Sequence, residues 1–281
     1  MFASLSPPLK PILKKPPVDK VSERFCAPDA DLVIRSSDGV LLRVHRKNLS
    51  SFSEVFSSAA QASTATTSTQ APSFQNAVVD LPEDECTLDL LFQYMYRQRH
   101  PNLQGLRFQT LEKLAEAAEK YEVFAAMDPC SIHMILIAVI SQLRVGRHPL
   151  EVFLYAMKHD YPDLADRAAP LLLAFSKKIQ KETPTHVRLR WLLYMEAWNN
   201  ILRTELPALL KCNSCPCAGW DRAQLRTYKK FNFEPRLLAD LRWLSETSPA
   251  VSPCCLPRLS AIRVGLEEAV KQIPKFSAIK L

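Results

Sequence analysis

Five cysteines in the last third of the sequence are the side chains best suited to chemistry. The segment KCNSCPCAGW holds Cys212, Cys215 and Cys217, and SPCCLP adds Cys254 and Cys255. Two thiolates in a Cys-x2-Cys turn can occupy adjacent corners of a tetrahedral zinc site. Adjacent cysteines point their side chains apart, however, and the Cys-x2-Cys spacing is not repeated. Buried or loop thiols are therefore the favoured interpretation, and zinc bound by Cys212, Cys215, Cys217 and Cys254 is the alternative.

Motifs for phosphate binding and for hydrolysis are missing from the sequence. Its five glycines are widely separated, so neither a GxGxxG nor a GxxxxGK loop occurs. The GxSxG, HExxH and DxDxDG segments are absent as well. No set of residues combines a nucleophile, a base and oxyanion donors. We therefore predict a protein that is not an enzyme and has no cofactor, with zinc at the cysteines as the one exception.

Length and composition fit a folded chain of two domains. The 281 residues include 47% hydrophobic and 23% charged side chains, and the formal net charge is +7. Residues 1–28 contain repeated prolines and lysines and are predicted to form a disordered tail. No signal peptide is recognisable, and the apolar run 132–140 is about half the length of a transmembrane helix. We expect an intracellular protein, in the cytoplasm, the nucleus or both, without membrane contact.

A change of hydrophobic period marks residues 31–56. The segment DLVIRSSDGVLLRV alternates and predicts a β-hairpin that turns at Asp38 and Gly39. A helix is predicted to follow, beginning near Ser50 or Ser51 as its cap. The apolar stripe of that helix is formed by Leu49, Phe52, Val55 and Phe56.

A low-complexity segment and three further helices come next. Residues 57–75 are almost entirely Ser, Thr, Ala and Gln, which predicts a flexible insertion. Residues 77–81, AVVDL, are predicted to be a short strand. Buried helical stripes are predicted in ECTLDLLFQYMY (Leu88, Leu91, Phe92, Met95) and in QTLEKLAEAAEKYEV (Leu111, Leu114, Ala118, Tyr121). The next segment, SIHMILIAVISQL, is apolar on all sides and predicts a buried helix.

The remainder of the chain is predicted to be helical. Residues 143–182 form a helical extension with two amphipathic helices, and residues 183–281 form a helical region with a cysteine-bearing loop. In RLRWLLYMEAWNNILRTEL the apolar stripe is Leu189, Leu192, Met195, Trp198 and Leu202, flanked by Trp191 and Tyr194, and this breadth predicts a core helix. The segment TYKKFNFEPR interleaves aromatic and lysine side chains, as platforms for single-stranded nucleic acid do. A helix or strand edge with a buried aromatic side is the favoured interpretation, because no larger basic face accompanies it.

The order of hairpin, histidine, helix, short strand and three helices resembles the BTB/POZ domain. The segments DLVI, VHRKNLSSFSEVF, VVDLPED, LFQYMY and LEKLAEAAEKYEV follow that family's order within residues 29–142. The resemblance implies an α+β domain, a small three-stranded sheet capped by helices, followed here by a mainly α-helical C-terminal region. The long insertion and C-terminal region look most like the expanded BTB proteins of mushroom-forming fungi.

The resemblance also implies a dimer or partner groove formed by Asp31, His45, Arg46, Phe52 and Phe56. The family brings an acid and a base together in a charged pocket at the positions of Asp31 and Arg46, and a solvated surface pair is the alternative. His45 matches the family's structural histidine, which is hydrogen-bonded and largely buried. A role for His45 as a catalytic base is therefore disfavoured.

Protein association, rather than catalysis, is the activity that the resemblance implies. We expect a homodimer that self-pairs through the first hairpin and helix, while the C-terminal helices present a second surface to an unidentified protein. One alternative is a nuclear transcription or nucleic-acid-associated factor with a zinc-stabilised C-terminal region. A further alternative is a substrate adaptor of a cullin-type ubiquitin ligase. Cullin is weakly supported because the family's hydrophobic-x-glutamate signal would fall in residues 57–75, which contain no glutamate.

Overall fold

The computed structural model describes most of the chain. The described residues are 20–64, 78–140, 148–175, 179, 181, 183–212, 219–233, 238, 241–245 and 253–281. The chain divides into two compact units, residues 1–130 and residues 131–281.

Within the described residues, four strands of the first unit form one mixed sheet in the order β1-β3-β2-β4. The strands are β1 (Lys20–Cys26), β2 (Leu32–Arg35), β3 (Val40–Val44) and β4 (Val78–Asp80). β2 and β3 are the antiparallel hairpin, with Leu32 opposite Val44. β1 adds parallel to β3, and β4 adds parallel to β2. The sheet therefore grows outward on both sides of the hairpin, and β4 confirms the strand predicted at 77–81.

The predicted hairpin turn is confirmed. Gly39 has φ +83°, a left-handed backbone conformation that glycine adopts without steric cost. The Ser36 hydroxyl donates to the Asp38 carboxylate at 2.5 Å, and its oxygen accepts the backbone N–H of Val40 at 3.0 Å. These bonds fix the turn and with it the register of β2 and β3.

β1 corrects the prediction that residues 1–28 are a disordered tail and adds a fourth strand to the expected sheet. No proline lies between Pro17 and Pro28, so the proline-rich composition does not extend over this strand. Phe25 of β1 is buried. Its ring packs edge-on against Phe92 at 5.7 Å and against Tyr96 at 5.3 Å between centroids. The rest of the predicted tail, residues 1–19, lies outside the described residues.

The helices of the first unit are α1 (Arg46–Phe52), α2 (Glu54–Thr64), α3 (Glu85–Gln93), α4 (Phe108–Lys120) and α5 (Phe124–Ile140), the last of which continues into the second unit. The predicted stripes of α3 and α4 are confirmed as buried: Leu88, Leu91, Phe92, Met95, Leu111, Leu114, Ala118 and Tyr121.

The predicted helix start at Ser50 or Ser51 is wrong. α1 begins at Arg46, and the chain extends at Ser53 (φ −149°) before α2 begins. The Ser53 hydroxyl donates to the carbonyl of Tyr121 and accepts the backbone N–H of Phe56 at 3.2 Å. Ser53, three residues after Ser50, therefore caps α2, the second of two short helices. Residues 57–64 of the predicted insertion continue α2, and residues 65–75 are not among those described.

α3 is anchored at its start by Asp84. The Asp84 carboxylate accepts the backbone N–H of Thr87 at 2.9 Å and the Thr87 hydroxyl at 2.6 Å, and it pairs with Lys113 of α4 at 2.6 Å. Burial alone would raise the pKa of Asp84, but the hydrogen bonds from Lys113 and Thr87 outweigh it and hold the pKa below its ordinary value.

The described part of the second unit is mainly helical. Its helices are α6 (Pro149–Lys158), α7 (Pro162–Ala168), α8 (Thr185–Asn200), α9 (Leu206–Cys212), α10 (Trp220–Phe233) and α11 (Leu256–Lys271). A π-helical turn, Ile201–Glu205, joins α8 to α9. Short 3-10 helices lie at Ala169–Phe175, Arg242–Ser245, Pro253–Cys255 and Phe276–Ala278.

The core of the second unit is aromatic, and it corrects the predicted stripe of α8. The buried residues of this helix are Val187, Trp191, Tyr194 and Trp198, whereas Leu189 and Leu192 are exposed. The leucine spacing is helical on both faces, and the larger apolar area of the tryptophans decides which face is buried.

Among the described helices, none has the length and the apolar character that are needed to cross a membrane.

Candidate protein-interaction surface

His45 lies between β3 and α1 and is held by Tyr96. The backbone N–H of His45 donates to the Tyr96 hydroxyl oxygen at 2.9 Å, and the same hydroxyl lies 3.1 Å from Nδ1 of the ring. The other ring nitrogen, Nε2, lies 3.5 Å from a carboxylate oxygen of Asp29. The ring is half-buried and occupied on both sides, which is the geometry of a positioning residue.

Tyr96 keeps its proton in this arrangement. Burial raises the pKa of the Tyr96 hydroxyl, and this effect outweighs the hydrogen bonds with the His45 backbone and the Asn48 side chain, which lower the pKa. The Tyr96 hydroxyl can donate to Nδ1 or accept from it, and the tautomer of the His45 ring decides which.

Asp31 contacts Arg46 through the backbone. The Asp31 carboxylate accepts the backbone N–H of Arg46, the first residue of α1, at 2.8 Å. This N–H has no partner within the helix, so Asp31 supplies the bond that the helix start lacks. Between these two described residues no side-chain ion pair is formed. The structure thus places the predicted acid and base side by side, joined by a cap rather than by a charge pair.

Phe52 and Phe56 point in different directions. Phe52, the last residue of α1, is 43% exposed. Phe56 stacks on Tyr121 at 5.0 Å and meets Phe92 edge-on at 6.3 Å. Of the two phenylalanines predicted for the groove, Phe52 is therefore available to another molecule, whereas Phe56 anchors α2 to the core.

Two further exposed apolar side chains lie in the segments next to Ser53 and Tyr121, and together with Phe52 they are here called the apolar patch. Val55, in the first turn of α2, is 36% exposed, and Phe124, at the start of α5, is 66% exposed. The hydrogen bond from Ser53 to the Tyr121 carbonyl joins the two segments that carry them. An apolar surface built on rigid helix ends in this way is typical of a protein-binding site.

The cysteine cluster is largely beyond the described residues. Cys215, Cys217 and the side chain of Cys212 are not described, Cys254 is exposed, and Cys255 is buried. Among the side chains that are described, no group of three His, Cys, Asp or Glu could hold a metal ion. Zinc at these cysteines stays a prediction.

Comparison with protein families agrees with this architecture. Residues 23–137 match the family model of the BTB/POZ domain. This part of the chain is thus a BTB domain, with a small mixed sheet and helices, and a mainly helical region follows it. BTB/POZ domains are protein-interaction modules. A comparison with curated proteins found no match.

Two residues of this surface, Tyr96 and Phe124, were not predicted from the sequence. Tyr96 follows the buried stripe of α3 in the segment YMY, and its contact with His45 joins residues 51 positions apart. Phe124 belongs to an apolar segment in which the hydrophobic residues occur on all sides of the helix, so the sequence does not indicate which side is exposed. A tyrosine as the last residue of a predicted core helix was the one available signal for the first of them.

Proposed function

We propose that this chain pairs with a second copy of itself through the apolar patch and the adjoining start of α1, and that its C-terminal helices hold a protein partner. The observation that carries the proposal is the exposure of Phe52, Val55 and Phe124 in two segments that the bond from Ser53 to the Tyr121 carbonyl joins. Burying a fully exposed side chain of this size contributes about 1.5–3 kcal/mol, and each of these partly exposed side chains contributes a fraction of that amount. Asp31, His45 and Arg46 supply a polar margin beside the same helix.

The patch is held ready for binding. α1 is fixed at its start by Asp31 and at its end by the bond from Ser53 to the Tyr121 carbonyl. A side chain presented by a fixed helix loses little conformational freedom when it is covered. Phe52 is therefore the residue expected to contribute most to pairing.

Light scattering of the full-length chain at several concentrations tests the proposal. Wild type should show a dimer, and the Phe52→Ser/Val55→Ser variant should move toward monomer without loss of helical circular dichroism. Val264→Ser is the matched control, because Val264 is an exposed valine of α11 in the second unit. A dimer that persists in Phe52→Ser/Val55→Ser would contradict pairing through the patch.

A wild-type monomer would point to another occupant of the patch. Recovery of a cullin by the monomer, and its loss in Phe52→Ser/Val55→Ser, would favour the ubiquitin-ligase adaptor. The zinc-stabilised nuclear factor predicts stoichiometric zinc in protein purified without chelator. Kinship with the expanded fungal BTB proteins stays a prediction.

A further inference from the structure

α10 presents a cationic face on the side opposite its buried residues. The exposed residues Arg222, Leu225, Arg226 and Lys229 are spaced i, i+3, i+4 and i+7, which places them on one face about 100° wide. The opposite side is buried through Trp220, Ala223, Thr227 and Phe231. Because that side is packed into the second unit, the cationic face is fixed in orientation.

The cations of this face are not neutralised within the described part of the chain. None of the ion pairs between described residues involves Arg222, Arg226 or Lys229. Asp221 is the one acidic residue of α10, and it lies in the first turn beside the face. Like charges at i and i+4, such as Arg222 and Arg226, disfavour a helix. An anionic ligand bound to this face would remove the repulsion between them.

Apolar side chains lie among the cations. Leu225 is 54% exposed between Arg222 and Lys229, and Tyr228 is 44% exposed at the edge of the face. A phosphate backbone offers Leu225 no apolar contact, and one aromatic ring at the edge is not a succession of stacking platforms. A membrane-surface helix needs a broad apolar face, which α10 uses inside the protein. An acidic peptide that also carries apolar side chains satisfies both kinds of residue.

We infer that the face formed by Arg222, Leu225, Arg226 and Lys229 binds an acidic amphipathic segment of a partner protein. The inference rests on the proposal that the C-terminal helices hold a partner, and it names the helix and the chemistry of that partner. The recognition combines Glu or Asp side chains placed on the three cations with an apolar side chain placed on Leu225.

Fluorescence anisotropy of the full-length protein with a fluorescein-labelled peptide of Glu-Glu-Leu-Leu repeats tests the inference. We expect saturable binding that weakens as salt is raised. Arg226→Glu/Lys229→Glu should bind about tenfold more weakly, because two exposed ion pairs become repulsions. Leu225→Ala should weaken binding without changing the salt dependence.

Two comparisons complete the experiment. Lys275→Glu/Lys280→Glu makes the same charge change at exposed positions outside α10 and should bind as wild type does. The inference would be overturned if wild type did not bind the peptide at low salt. It would also be overturned if Lys275→Glu/Lys280→Glu lost as much peptide affinity as Arg226→Glu/Lys229→Glu. Tighter α10-dependent binding of oligothymidylate or of phosphatidylserine vesicles would overturn it as well. Light scattering of the same α10 variants tests the two proposals separately. Pairing through the apolar patch is expected to remain intact in these variants, whether or not they bind the peptide.

Discussion

Asp166 and Ser277 are joined by two hydrogen bonds across 111 residues of sequence. One carboxylate oxygen of Asp166 accepts the backbone N–H of Ser277 and the other accepts its hydroxyl, each at 2.7 Å. The pair holds Phe276 in the aromatic core, where its ring lies 5.0 Å from Phe153 and 5.7 Å from Tyr194. The last turn of the chain is therefore part of the fold of the second unit.

Phe276→Ala should destabilise the second unit by about 3 kcal/mol or more, because it removes a buried ring from the core. Ser277→Ala should cost about 1 kcal/mol, since the backbone N–H bond to Asp166 is kept. All four tryptophans of the chain, Trp191, Trp198, Trp220 and Trp243, lie in this unit, so tryptophan fluorescence during urea unfolding follows it selectively. Equal midpoints for Phe276→Ala and wild type would contradict the packing.

Phe56→Ala and Phe52→Ala form a matched pair in the first unit. Phe56 packs against Phe92 and Tyr121, so its loss should cost about 2 kcal/mol or more. Phe52 is exposed, and its loss should change stability of the monomer by about 0.5 kcal/mol or less. Urea unfolding followed by far-ultraviolet circular dichroism, at a concentration where the protein is monomeric, measures both. A larger effect from Phe52→Ala would show that the two rings have been assigned the wrong way round.

Asp31→Ala should lower both stability and pairing. The loss of the bond to the Arg46 N–H is expected to cost about 1 kcal/mol, as for other helix-start residues. Asp31→Asn keeps an acceptor oxygen and should restore most of the stability while it removes the charge. Sedimentation velocity then reports the dimer fraction of each variant. An unchanged dimer fraction in Asp31→Ala would place this residue outside the pairing surface.

The lowered pKa of Asp84 makes the first unit sensitive to acid. The pKa of Asp84 is lower in the folded protein than in the unfolded chain, where an aspartate has a pKa of about 3.9. The charged carboxylate therefore stabilises the folded protein at pH values above about 3.9, and this contribution is lost as the pH falls through the folded pKa. Asp84→Ala should therefore cost about 1 kcal/mol or more at pH 7, with a smaller difference from wild type below about pH 4. Asp80→Ala, at an exposed carboxylate of β4, is the control for charge removal. Urea midpoints measured at both pH values compare the variants, and a constant difference would argue against a charged cap.

Tyr94 makes the same unit sensitive to alkali. Burial raises the pKa of Tyr94 to about 12. Unfolded tyrosine loses its proton near pH 10, so between about pH 10 and pH 12 the unfolded chain binds fewer protons and stability falls as the pH rises. Tyr94→Phe should flatten this dependence, which circular dichroism across the alkaline range can follow. An equally steep loss in the variant would assign the sensitivity to other groups.

The sequence predicts those features that depend on neighbouring residues. The hairpin follows from alternation and from Gly39, and the buried faces of α3 and α4 follow from their apolar spacing. Features that depend on distant contacts were not predictable in the same way. The start of α1 is fixed by the bond from the Arg46 N–H to Asp31, 15 residues away in the sequence. The chain after α1 is fixed by the bond from the Ser53 hydroxyl to the Tyr121 carbonyl, 68 residues away.

Composition misled the prediction in two places. Because the N-terminal residues are rich in proline, β1 was not predicted. Phe25 of this strand is buried through its contacts with Phe92 and Tyr96. In α8 the leucines and tryptophans occur at the same helical period, and the choice of buried face depends on Phe153 and Phe276 from other parts of the second unit. Within the candidate site, Asp31, His45, Arg46 and Phe52 were identified from family resemblance, and their hydrogen bonds came from the structure.

The strand order β1-β3-β2-β4 also sets an order of events during folding. The hairpin is local, with Arg35 opposite Leu41, whereas β4 must bring Val78 to Val33 across a much longer stretch of chain. Closing the short loop costs less entropy, so the hairpin can form first and serve as the template for both outer strands. α1, which carries Phe52, thus follows directly on the part of the domain that can form first.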